Sequence, residues 1–128
     1  MQIFETSRIV KPNDLDELNH VNNIRYVEWV QNIAKAHWLQ NASPKIIKDY
    51  YWVMLSHCIE YKSAAFLNDN IKLKTYVTKS EGVTSVRIVE ISNANNKLLA
   101  KSETRWCLIS NQTNRPARIT AEIIDLFS

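Results

Sequence analysis

Residues 14–30 read DLDELNHVNNIRYVEWV, and the fold turns on how this stretch divides. Its first half is polar and poor in strand formers, with Asp14, Asp16 and His20 close together. From Asn22 onward apolar residues recur at helical spacing, at Tyr26, Val27, Val30, Ile33 and Ala34. Asn22 is suited to cap the helix, since its side-chain oxygen can accept from backbone donors that the first turn leaves free. Those free N–H groups and the partial positive charge of a helix start also suit it to hold a developing oxyanion. A carboxylate six residues upstream, Asp16, can face the same point. As a residue type alone, Asp16 reads equally as a solvated loop acid or a capping acid.

Working outward, the helix runs from about Asn22 to Gln40, with Arg25, Glu28, Gln31, Asn32 and Lys35 as its polar face. Trp29, Ala36 and Leu39 broaden its apolar side. Asn41 to Ser43 ends it, and Pro44 opens a short helix through Lys48. Upstream, residues 2–11 form a strand stopped by Pro12, which has no backbone donor. From Tyr51 the period changes to alternation, and four strand-like runs follow. Val53, Leu55, His57, Ile59 and Tyr61 are expected on one face of the first run, and Ile71, Leu73, Thr75 and Val77 on one face of the next. Glu81–Gly82 and Asn93–Asn96 carry hairpin turns, because Gly and Asn tolerate positive φ. A Pro-containing turn over 113–118 and a short closing helix in TAEIIDLF complete the chain. The predicted class is α+β, an antiparallel sheet of about five strands with one long helix against it.

The 128 residues suit a single domain, 1–128, large enough to bury a core. The net charge of +3, from 16 Lys and Arg against 13 Asp and Glu, is too small and scattered for a nucleic-acid footprint. Cys58 and Cys107 sit in apolar runs without CxxC or metal spacing, so two buried free thiols in a reducing compartment are expected. No run spans a bilayer and MQIFETSRIV does not read as a leader, so a cytoplasmic protein with no membrane partner is expected. The single glycine, Gly82, leaves no Gly-rich phosphate loop. His57 reads as a packed strand histidine, and the four tryptophans read as core and pocket walls.

Asp16, His20, Val21, Asn22, Asn23, Tyr26 and Trp29 together resemble the motif of the hot-dog-fold acyl thioesterases, in their 4-hydroxybenzoyl-CoA thioesterase-like and acyl-carrier-protein thioesterase-like branches. The resemblance continues in CIEYKSAAFLNDNIKLKTYV and RWCLISNQTNRPARIT. It implies a sheet that curls around the central helix, and two chains pairing into a homodimer or homotetramer with sites at the interface. It also implies hydrolysis of an acyl-CoA or acyl-carrier-protein thioester to a free acid and a thiol, with no metal and no cofactor. Asp16 would act as nucleophile or general base, and the backbone N–H near Asn23 as oxyanion donor. His20 would either support the catalytic group or fix the loop. Asn22, Tyr26, Tyr61 and Ser63 fall at substrate-binding positions, with Ser63 also readable as a turn residue. Asp14 lies off the motif. Leu18 stands where the plant-type pattern has asparagine, and Ala64 and Ala65 where it has an acidic-Cys pair, so the fuller catalytic set does not carry over. A non-catalytic acyl-thioester binder and a hot-dog dehydratase or hydratase are the rival readings.

Overall fold

The computed structural model describes all residues from Met1 to Ser128. Strand β1 (Phe4–Ile9) leads through a 3-10 turn at Pro12–Asp14 and the motif loop into helix α1 (Asn23–Asn41). Helix α2 (Pro44–Asp49) then opens strand β2 (Tyr50–Tyr61), which is followed by β3 (Asn70–Glu81), β4 (Thr84–Ser92), β5 (Leu98–Ser110) and helix α3 (Ala121–Asp125). The strands form one antiparallel sheet in the order β1-β3-β4-β5-β2, so β1 and β2 are its edges.

The alternation in β3 puts Ile71, Leu73 and Thr75 inside, as expected, and β4 adds Val89 and Ile91. Against them pack Tyr26, Trp29, Val30 and Ile33, the helical stripe of α1. Burying each such large side chain contributes roughly 1.5–3 kcal/mol, which makes this layer contact the main stabilising element. A second cluster joins Trp38, Ile46, Leu108, Ile119, Ile123 and Phe127, so the short C-terminal helix closes the far end of α1. Gly82 takes φ +64° in the β3–β4 turn. At the β4–β5 turn Asn96 takes φ +63°, and Asn93 Oδ1 accepts from the N–H groups of Asn95 and Lys97.

Three expectations fail locally. The register of β2 against β5 shifts between Met54 and Ser56, a bulge that exchanges faces along the strand. Val53 and Leu55 therefore face out, 43% and 50% exposed, while His57 and Ile59 turn inward. The same shift leaves Cys58 exposed, and only Cys107 is buried. Leu39 is exposed on α1 rather than part of its apolar side. No helix is long and apolar enough to cross a membrane.

Candidate functional site

The loop ahead of α1 is built by its acids, each with a different task. Asp14 is buried and structural: its carboxylate accepts from the Lys11 N–H at 2.9 Å and faces the Arg25 guanidinium at 3.5 Å. Arg25 also donates to the Asn13 carbonyl, which ties the loop to the first turn of the helix. Asp16 is half-buried and holds a tight turn with one oxygen only. Its Oδ1 accepts from the backbone N–H groups of Leu18 at 2.9 Å and His20 at 3.2 Å, while Oδ2 has no partner in the chain. The turn is closed by the Asp16 N–H donating to the His20 carbonyl at 2.8 Å, with Asn19 at φ +62°. The carboxylate is thus fixed through one oxygen and available through the other.

The helix start lies directly after this turn. Asn22 caps it, Oδ1 accepting from the Ile24 N–H at 3.0 Å, and the Asn22 carbonyl accepts from Arg25. The Asn23 N–H has no acceptor in the chain, and Asn23 is exposed. An unclaimed N–H at the start of a nineteen-residue helix lies at the helix's positive end, where negative charge is favoured. The segment after β2 closes the other side, with the Val21 N–H donating to the Ala65 carbonyl at 3.0 Å.

The remaining motif residues separate. Tyr61 reaches the helix start, its hydroxyl 3.4 Å from the Asn23 carbonyl, and burial raises its pKa. Ser63 lies in the neighbouring segment, half-buried and held by its N–H on the Leu99 carbonyl. The His20 ring makes no hydrogen bond to the Asp16 carboxylate; it packs edge-on against Phe66 at 5.3 Å and serves Asp16 through its backbone N–H. Tyr26 is a core residue, 2% exposed and packed on Trp29 and Tyr61. Four residues after the cap, it falls on the stripe that faces the sheet. Its hydroxyl is buried without a partner, and burial raises its pKa.

The pattern did not foretell Phe66 and Leu67, 51% and 42% exposed, of which Phe66 packs on the His20 ring of the loop; Leu18 and Ile24, in the loop and at the helix start, are exposed as well. His37 and Arg87 were also missed. They meet in the interior near the other end of α1, with Arg87 Nη1 2.9 Å from His37 Nδ1. Burial, reinforced by the Arg87 charge, lowers the His37 pKa to about 4, so the imidazole is neutral. The His57 pKa is lowered by burial, and its Nε2 has no partner.

A family model described as the thioesterase-like superfamily matches residues 10–127, which takes in the motif loop, α1 and the whole run from β2 to α3. The chain belongs to that superfamily. Its fold is the hot-dog arrangement expected from the motif. A mutant 4-hydroxybenzoyl-CoA thioesterase complexed with 4-hydroxybenzoyl-CoA superposes with a TM-score of 0.89 at 13% identity, over 100% of both chains. A 1,4-dihydroxy-2-naphthoyl-CoA thioesterase from Synechocystis gives 0.84 at 18% identity, over 98% of this chain and 96% of that one. A Staphylococcus aureus protein in complex with CoA gives 0.87 at 16% identity, over 98% of this chain and 81% of that one. At such identities the likeness is one of fold. No curated protein sequence matches the chain.

Proposed function

We propose that this thioesterase-like chain hydrolyses acyl thioesters of CoA or of an acyl-carrier protein, with Asp16 as the group that attacks or activates water. One observation carries the reading: Asp16 is anchored by Oδ1 on two backbone donors, which leaves Oδ2 free beside a helix start whose Asn23 N–H is unclaimed.

As general base, Asp16 Oδ2 takes a proton from water while the water oxygen bonds to the thioester carbonyl carbon. The carbonyl oxygen becomes an oxyanion opposite the Asn23 N–H. Collapse of the tetrahedral intermediate breaks the carbon–sulfur bond, the thiolate leaves and recovers the proton, and a carboxylic acid remains. As nucleophile, Oδ2 would itself bond to the carbon, expel the thiolate and form a mixed anhydride that water then cleaves. In either course Asn22 holds the helix start, the His20 N–H holds the carboxylate, and Tyr61 and Ser63 flank the substrate. CoA-thioester recognition by the structural relatives supports a CoA substrate.

The site opens at the surface of one chain, which supports a homodimer. The edge strand β2 offers unpaired backbone together with the exposed apolar side chains of Val53 and Leu55.

The test is free-thiol release from acyl-CoAs of increasing length, an aryl-CoA and an acyl-carrier protein, comparing the wild type with Asp16→Asn. Asparagine keeps an oxygen for the two backbone donors, so the loop is retained while the base is lost. The expected loss is roughly 10²–10⁴-fold. Binding of acyl-CoA without turnover in either protein would establish the non-catalytic reading, and retention of the thioester bond in a changed product would establish the dehydratase or hydratase reading.

A further inference from the structure

A cavity of about 440 Å³ lies between the second half of α1 and the strands beneath it, away from the Asp16 loop. Trp38, Trp52, Trp106 and Phe127 supply its apolar walls. Lys35 and Arg87 also line it, and no carboxylate does. Arg87 is 6% exposed and forms no ion pair with any acid of the chain.

Its guanidinium is held in one orientation. Nη1 donates to His37 Nδ1 at 2.9 Å and to Thr75 Oγ1 at 3.0 Å. A guanidinium only donates, so Nδ1 is the acceptor and the imidazole proton sits on Nε2, which donates to Gln2 Oε1 at 2.7 Å. Gln2 Oε1 also accepts from Asn41 Nδ2. The guanidinium carbon stands 5.2 Å from the centre of the Phe127 ring. This chain of contacts uses one nitrogen of the three. Nε and Nη2 have no acceptor in the protein. Burial lowers the Arg87 pKa to about 10, which leaves the group charged at neutral pH. A buried cation without an anion is unfavourable, and the free Nε–Nη2 edge has the spacing of a carboxylate.

We propose that this cavity binds an organic acid, its carboxylate taken side-on by Nε and Nη2 of Arg87 and its apolar body lodged among Trp38, Trp52 and Trp106. Two sources carry that chemistry: a separate carboxylic acid, and a carboxylate at the far end of a substrate's acyl group. The second source rests on the hydrolase reading; the first does not.

Calorimetric titration with 4-phenylbutyrate and its uncharged amide tests the site, with quenching of tryptophan fluorescence as a second readout. The acid is expected to bind about tenfold to a hundredfold more tightly than the amide, as a charge-assisted fork implies. Arg87→Gln should erase that preference. Should Arg87→Gln fail to fold, Ser85→Asp sets a carboxylate beside Arg87 from the same face of β4, and loss of acid binding is the expected result. Equal binding of acid and amide, absence of binding, or a preference that survives both substitutions overturns the proposal.

Thiol release then separates the sources. A preference for octadecanedioyl-CoA over octadecanoyl-CoA, acyl groups long enough to span the roughly 20 Å of helix between Asn23 and His37, that disappears in Arg87→Gln assigns the carboxylate to the substrate, and no preference assigns it to a separate acid. Cleavage of neither thioester, nor of any member of the acyl-CoA, aryl-CoA and acyl-carrier-protein panel, would defeat the hydrolase reading while leaving the binding result to stand by itself.

Discussion

His37 of α1 and Arg87 of β4 meet side chain to side chain in the interior, with Nη1 of the arginine 2.9 Å from Nδ1 of the histidine. The contact requires a neutral imidazole, because a protonated ring would turn its Nδ1–H toward the guanidinium. The folded pKa of about 4 lies below the ordinary value of 6.5. Below 6.5 the unfolded chain therefore binds a proton that the folded chain refuses. The contribution of His37 is complete above pH 6.5 and is lost as pH falls toward 4, amounting to roughly 3 kcal/mol. Urea unfolding of wild type and His37→Gln from pH 7.5 to 4 measures it. The wild type should lose that much more stability than the variant, and parallel pH profiles would refute the assignment.

Asp16→Ala and Asp16→Asn should differ in stability though both lose activity. Alanine removes the acceptor shared by the Leu18 and His20 N–H groups, at a cost of about 1–2 kcal/mol. Asparagine retains it. Denaturant midpoints of the two variants decide whether Oδ1 is the anchor.

Replacing Asn22 by alanine removes the cap of α1 and should cost about 1 kcal/mol. Asn22→Asp keeps an acceptor and adds negative charge at the helix start, so its unfolding midpoint should stay close to that of the wild type. Its thiol release is expected to drop, since that charge opposes an oxyanion at the same place.

Tyr26→Phe removes a buried hydroxyl that has no partner. Stability should hold or rise by up to about 1 kcal/mol, the cost of burying an unpaired polar group being relieved. If the hydroxyl touched substrate instead, kcat/KM would fall while stability stayed the same, and the two measurements together separate these roles.

Lysine at both Val53 and Leu55 should dissociate a dimer formed along β2 without unfolding the chain, because both side chains face outward in a single copy. Sedimentation of wild type and variant reads the oligomeric state, and circular dichroism checks the fold. A wild type that sediments as a monomer would sink the dimer proposal.

The long helix, its cap at Asn22 and the inward face of β3 were legible because each depends on local periodicity and capping chemistry. Other features were hidden for identifiable reasons. The β2 bulge reverses which side chains face the core after Met54, and its cause lies in pairing with β5. Both missed residues did leave a trace. His37 continues the buried series Tyr26, Trp29, Val30, Ile33 and Ala34, and Arg87 falls between Ser85 and Val89 on the inner face of β4. A polar residue at a core position marks a buried network, but periodicity cannot say with whom it pairs.

By itself, then, the sequence determined the class of fold, the loop-to-helix junction and the motif centred on Asp16, all set by neighbours within a few residues. Only the tertiary structure decided that Asp14 is bound up by Arg25 while Asp16 keeps a free oxygen, that Tyr26 belongs to the core, and that Arg87 faces a cavity with two nitrogens unclaimed. Those outcomes depend on hydrogen bonds and packing between segments far apart in the chain, and short-range chemistry carries no record of which distant partner arrives.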